Sequence, residues 1–382
     1  AIDDSVDEPD QTIQITLSGA TLSTISDTTG VGTITDNDAA PTVSIGDALV
    51  DESVGTANLS VTLSAASEKS ISVNWATADN TAVAPDDYTS NSGTLNFAVG
   101  ETSKTVGVAI INDSVDENGE GLSVSLSGPS NVTVADGTGD ISITDNDTAA
   151  LSINDVAENE GDSLTFTISI DRTSVNNVSV NWSTSNGTAV APTDFTANSG
   201  TATINAGLLS TTVVVNTSED TTYELNETFT VTLSGPVNAT ITDASGAGTI
   251  NNDDAAPTLS IDDPTVTEGG TLNYTITLTG TTAVDTVFDW AASNGTAVAP
   301  GDYSAASGTS VTITAGSTTK VVTVSTLDDG LDESDETVNV TLSNPSHATF
   351  SDNVGIGTIT DNDTLPTLSI ADVSVQEGTA TV

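Results

Sequence analysis

The sequence of 382 residues contains no cysteine and no methionine. No disulfide can staple it, and no thiolate can hold a soft metal. Its one histidine, His347, excludes any repeated Ser-His-Asp triad or histidine-based metal site. Only 4 Lys plus Arg stand against 54 Asp plus Glu, a formal net charge of -50. Such a surface repels phosphate backbones and anionic lipid, which removes nucleic acid and direct membrane insertion from the list of partners. Aromatic residues make up 3%, and no apolar run approaches the roughly 18 residues of a membrane span. High charge with few aromatics is by itself the composition of a disordered chain.

The patterning points the other way. Leu59, Val61 and Leu63 alternate with polar residues, and so do Ile71, Val73 and Trp75, then Val106, Val108 and Ile110. The same alternation returns at Leu122, Val124 and Leu126 and at Ile141 and Ile143. A period of two buries one face of a strand and wets the other. About seven such strands, with turn residues between them and no helical period, predict an all-β, immunoglobulin-like antiparallel sandwich.

That unit is repeated. Val73-Asn74-Trp75 followed by Thr81 to Pro85 and Asp87-Tyr88 returns as Val180-Asn181-Trp182, Thr188 to Pro192 and Asp194-Phe195. It returns again as Phe288-Asp289-Trp290, Thr296 to Pro300 and Asp302-Tyr303. Acidic triplets begin at Asp36, Asp145, Asn252 and Asp361, spaced 109, 107 and 109 residues apart. A fixed period of this kind is the mark of an array of like domains. Three whole units are predicted over 39–147, 148–254 and 255–363. Residues 1–38 match the last third of a unit and 364–382 the start of another, so a longer parent chain is expected. Joints such as Ala-Ala-Pro are too short to act as flexible linkers.

Strand parity then gathers the acids. If successive strands run up and down, the loops after strands one, three and five and the exit of strand seven share one pole. In the unit 39–147 these places hold Glu52, Asp87, Asp113, Glu117, Glu120, Asp145 and Asp147. Two like charges about 4 Å apart repel by roughly 4 kcal/mol at an effective dielectric near 20. A hard cation with six to eight oxygen ligands relieves this, and calcium tolerates irregular carboxylate cages better than magnesium does. Zinc is excluded by the want of His and Cys.

The order Val-x-Glu, Thr-Ala-x-Ala-x-x-Asp-Tyr, Asp-Asp-x-x-x-Glu-x-x-Glu and a final Asp-x-Asp resembles the Calx-β domain. The resemblance implies calcium bound at this pole by side chains and one backbone carbonyl. In the first complete unit it adds the carbonyl of Val115 to the seven acids above. In the second it implies Glu158, Asp194, Glu219, Asp220, Glu224, Glu227, Asp253 and Asp254. In the third it implies Glu268, Asp302, Asp328, Asp329, Glu333, Glu336, Asp361 and Asp363. The leading partial unit keeps Asp3, Asp4, Glu8, Asp36 and Asp38. Asn112, Asn252 and Gln11 depart from the acidic pattern, so the poles are expected to differ in affinity.

For function, one histidine and no phosphate-cradling glycine loop leave an enzyme without its usual parts. Paired carboxylates serve glycosidases, but these recur once per repeat at metal-ligand spacing. Two non-catalytic readings remain: a calcium sensor acting on a partner domain, and a calcium-stiffened array. The absence of Cys, the scarcity of Lys and the wealth of Thr, Ser and Asn favour the second. It is expected outside the cell or on a bacterial surface, as a stalk, adhesin or fibre whose partners are calcium, neighbouring repeats and other copies of itself.

Overall fold

The computed structural model describes residues 2–374, 376 and 378. The chain begins with a hairpin of β1 (Gln11–Thr16) and β2 (Thr29–Ile34), paired antiparallel. Ile13, Ile15 and Val31 in this hairpin are exposed. Without the other strands of a unit there is no second sheet to cover them.

The first complete sandwich shows how the sequence closes a core. Its first apolar stretch is broken at Gly46-Asp47 into β3 (Thr42–Ile45) and β4 (Ala48–Asp51). β5 (Thr56–Leu63), β6 (Ile71–Asp79), β7 (Ser92–Phe97) and β8 (Ser103–Ala109) follow, then β9 (Glu120–Ser130), β10 (Thr133–Asp136) and β11 (Thr138–Thr144). The break lets the chain change sheets. β3 joins a four-stranded sheet in the order β10-β3-β5-β8, while β4 joins a five-stranded sheet in the order β4-β11-β9-β6-β7. The seven strands read from the sequence are all present. The ladder resolves nine, because the first stretch splits and β10 is too short to show a period. It also adds two parallel pairings, β10 with β3 and β11 with β4, to the antiparallel ladder.

Alternation does what it should. Along β5 burial switches at every residue, and Ala57, Leu59, Val61 and Leu63 meet Val106, Val108, Leu122, Val124 and Ile141 between the sheets. Two further cores repeat this with Leu164, Phe166 and Val231, and with Leu272, Tyr274 and Val340. Trp182 and Trp290 are buried in them, and Trp75 packs half-buried against the first. Each buried Leu, Ile, Val or Phe is worth about 1.5–3 kcal/mol by area, so each sandwich carries a full core.

Consecutive sandwiches meet through one repeated contact. The loop after β8 in one unit forms a parallel backbone bridge to the loop between the second and third long strands of the next. The bridges are Asp7 to Ser67, Asp116 to Ser174, and Thr222-Tyr223 to Thr281-Thr282. The loop that carries more of the pole's acids than any other therefore also makes the contact with the next sandwich. Residues 364–374, expected as the opening strand of a further unit, form no strand. Among the described residues beyond 363, β5 and β10, the strands that β3 pairs with, have no counterpart. The rest of that expected segment lies largely outside the described residues.

Candidate metal centre

Three local devices aim the pole's side chains. The first is a turn after β4. Asp51 accepts from Ser53 N–H at 3.0 Å and caps a short helical turn, Glu52–Val54, which turns Glu52 inward to 5% exposure. The second is the loop after β6. Asp87 Oδ2 accepts from Val83 N–H at 2.6 Å, and the same bond recurs from Val190 to Asp194 and from Val298 to Asp302. Buried Tyr88, Phe195 and Tyr303 follow these aspartates and anchor the loop in the core. Tyr88 donates to Asp79 and Tyr303 to Asn294, at 2.6 and 2.7 Å. Phe195 lacks the hydroxyl and stacks on Phe229 at 4.4 Å instead.

The third device is the loop after β8. The second acid of each pair caps its own turn: Val115 N–H donates to Asp113, Val6 to Asp4, Thr222 to Asp220 and Leu331 to Asp329, at 2.6–2.9 Å. These turns are short Asx motifs. Val115 is thereby placed in the turn, half-buried. At the exit of β11, Asp145 accepts from Glu117 N–H and from Asp147 N–H, both at 3.0 Å, which ties the triplet to the third loop.

The outcome is two carboxylate groups at one pole. Ligand atoms of Glu52, Asp145 and Asp147 lie within 4.8 Å of one another, and so do those of Asp87, Glu117 and Glu120. The second sandwich repeats the pair as Glu160, Asp220 and Asp254 with Asp194, Glu224 and Glu227. The third has Glu268, Asp329 and Asp363, and its cleft is lined as well by Asp302, Glu333, Glu336 and Asp361. Asp113 lines the first cleft. In the leading unit Asp3, Asp4, Glu8, Asp36 and Asp38 line one cleft, where Gln11 donates to Glu8 at 3.0 Å in place of a further acid.

Two assignments change. Val156-Ala157-Glu158 imitates the Val-x-Glu motif, but the ladder pairs Glu158 with Ile250, where the first sandwich pairs Val50 with Ile143. The counterpart of Glu52 is Glu160, two residues on, and Glu158 is an exposed strand residue. A two-residue shift leaves the alternation unchanged, so only the ladder reveals it. Asp253 is exposed beside the cluster, while Asp254 belongs to it. Glu219 and Asp328 stand against Gly161 and Gly269, both at positive φ. A Cβ at Gly269 would come to 2.9 Å from that of Asp328, so glycine lets the first and third loops close on each other. Sequence reading also passed over Asp86, an exposed residue lining the first cleft; its place beside Asp87 was the available signal.

The electrostatics of the pole suit a cation. Burial, and then the Asp87 carboxylate, push Glu120 up to about 7. Burial with Asp194 does the same to Glu227, and burial with Glu224 and Asp220 to Glu160, each to about 7. Glu52 and Glu117 are raised for the same reasons. Desolvation and like charge both oppose ionisation. Glu52 Oε1, Asp254 Oδ2 and Asp363 Oδ2 are buried and find no hydrogen-bond partner. Buried polar atoms are normally satisfied, and an all-oxygen donor set facing such atoms suits a hard divalent ion.

Fold and pole together define a tandem array of β-sandwiches with an acidic, oxygen-lined centre at one end of each. The family profile described as the Calx-beta domain matches residues 36–156, 142–254 and 252–364. This chain belongs to the Calx-beta family. Calx-beta domains are calcium-binding domains. A curated relative, adhesion G-protein coupled receptor V1 of Danio rerio, is 31% identical over 173 residues, which is 43% of this chain and 3% of that receptor. Among solved structures, CBD12 from CALX1.2 is 18% identical at a TM-score of 0.29, covering 55% of this chain and 99% of that one. The apo form of the Calx CBD1 domain is 26% identical at a TM-score of 0.27, covering 28% and 98%. No helix among the described residues is long and apolar enough to cross a membrane.

Proposed function

We propose that this chain is a non-catalytic calcium-binding segment of an extracellular or surface protein, serving as a stalk, adhesin or fibre that calcium stiffens. The units 39–147, 148–254 and 255–363 act as its domains, and each complete pole takes two ions, one per carboxylate group. The reading rests on one observation: three carboxylates converge within 4.8 Å twice over at a single pole, from loops spread across the whole unit. Bound calcium supplies positive charge to these groups. Glu52, Asp145 and Asp147 hold one ion, with Asp113 beside them. Asp87, Glu117 and Glu120 hold the other, and the Val115 carbonyl is the backbone ligand. Glu160 takes the place of Glu52 in the second sandwich. Because the third loop is also the bridge to the next sandwich, ordering it by metal orders the joint.

With a dissociation constant of about 10 μM and about 1 mM calcium, each site contributes about 2.7 kcal/mol. That is a large part of the roughly 5–15 kcal/mol of a typical domain. The test is melting of the whole chain in calcium, in magnesium and in chelator, paired with small-angle scattering. A calcium-specific rise in melting temperature with a longer, stiffer particle supports the reading. Equal melting and equal dimensions in all three conditions would sink it. A rise in melting without any change in dimensions would favour a sensor that acts on a partner domain.

A further inference from the structure

Four Lys and Arg residues serve the whole chain, and two of them stand at joints. Lys69 of the first sandwich reaches back to Asp7 and Asp36 of the leading unit, at 2.6 and 3.0 Å. Arg172 of the second pairs with Asp147 of the first. The joint between the second and third sandwiches has neither. Asp254, the counterpart of Asp147, keeps an unpartnered buried oxygen there.

Two residues change together at this third joint. Before the loop glutamate, the earlier joints carry Asp7 and Asp116, and this one carries Tyr223. In the turn of the following sandwich that faces the joint, Asn131 and Asn238 sit at φ 54 and 58; here His347 sits at φ 59. Each Asn donates its amide to a backbone carbonyl, Ser70 at 2.9 Å and Asn177 at 3.0 Å. His347 Nδ1 lies 3.0 Å from the Asp285 carbonyl and does the same turn work. It also adds a ring, centred 6.5 Å from that of Tyr223 at 39°. This lies inside the range of attractive aromatic pairs. The backbone bridge is longer too, with two rungs instead of one, and Thr281 donates to Thr221 O at 2.7 Å.

We propose that the Tyr223–His347 contact and its two-rung bridge form a charge-independent joint, which stays closed when calcium is withdrawn or salt is raised. The leading end of the third sandwich is thus fitted to a tyrosine-bearing pole, and the joints at Lys69 and Arg172 are the ones that loosen. The Lys69 and Arg172 side chains are 28% exposed, so salt reaches and weakens their ion pairs; it leaves a ring contact and backbone hydrogen bonds alone. The calcium arm of the test rests on the metal reading above, and the salt arm stands without it.

With no native cysteine, labels go only where cysteine is introduced. Thr105→Cys with Thr212→Cys spans the second joint, and Thr212→Cys with Thr323→Cys spans the third, all three being exposed strand positions. Spin-label distance distributions are compared in calcium, in chelator, and at about 1 M NaCl, where the screening length is about 3 Å. The 105/212 distribution should broaden in chelator and in salt, and the 212/323 distribution should keep its width. Tyr223→Asp or His347→Asn should broaden 212/323 to match 105/212. Both substitutions install what the other joints already carry, so folding is preserved. Equal broadening of both pairs in the unmodified chain would overturn the proposal. So would a 105/212 pair that ignores salt, or a 212/323 pair that ignores both substitutions. Insensitivity to calcium with the salt contrast intact would count against the metal reading and for the joint.

Discussion

The poles of the second and third sandwiches are built from the same loops, yet they present their acids differently. Glu224 is half-buried, and Glu333 in its place is exposed. Thr222 is half-buried, and Leu331 in its place is 62% exposed. The neighbour makes the difference. The third sandwich bridges over Tyr223, whereas no ladder bridge reaches Asp332 among the described residues. The next sandwich therefore covers the loop of the second pole and takes Glu224 out of water, while Glu227 and Glu336 are half-buried in both poles. Burial is the largest cause of the raised proton affinity of Glu160 and Glu227.

The sharpest break in this comparison is Asp254→Asn against Asp363→Asn. Each removes charge from a carboxylate with a buried, unpartnered oxygen, but only the first lies under a neighbouring sandwich. Calcium titration should show a loss of more than about tenfold at the second pole, about 1.4 kcal/mol, and a smaller loss at the third. Equal losses would mean the neighbour contributes nothing.

Next in size is Gly161→Ala. Gly161 sits at φ +75 with the Glu219 side chain against it, while Gly207 at φ +77 meets nothing. Melting of the metal-free chain should report a loss of about 2 kcal/mol for Gly161→Ala. Gly207→Ala should cost about 1 kcal/mol, from backbone strain alone.

A pH series in chelator compares the poles without mutation. Glu120, Glu160 and Glu227 keep their protons up to about 7 in the folded chain, against an ordinary value of 4.5. Over that window the folded state binds more protons than the unfolded one, so stability falls as pH rises. It is greatest below the window and lost through it. Melting temperature should drop by several degrees across the window, at roughly 4 °C per kcal/mol. The first two sandwiches should move most, and saturating calcium should flatten the curve.

The smallest effect belongs to Arg172→Ala. The Arg172 side chain is 28% exposed and that of Asp147 14%. A single half-buried ion pair that solvent still reaches is worth about 1 kcal/mol, so melting at low salt should shift by no more than a few degrees, at roughly 4 °C per kcal/mol. The shift should vanish at high salt.

Much of this was legible before any coordinates. Triplet spacing marked the repeats, alternation marked the long strands, and parity alone brought Glu52, Asp87, Glu117, Glu120, Asp145 and Asp147 to one pole. The failures have physical causes. Glu158 was chosen over Glu160 because a period of two looks the same after a two-residue slip. The division of the first stretch into β3 and β4 was missed because changing sheets does not change the pattern. The place of His347, a half-buried turn residue at a joint, is not legible because its partner Tyr223 lies in another unit.

By itself, then, the sequence determined the fold class, the repeat and the chemistry of the pole, because these depend on composition and on patterns local to each strand. Only the tertiary structure decided which glutamate enters the second centre, how each pole divides into two groups, and how one sandwich caps the next. Ladder register and inter-domain contact are set by backbone hydrogen bonds between distant segments, and side-chain alternation does not encode them.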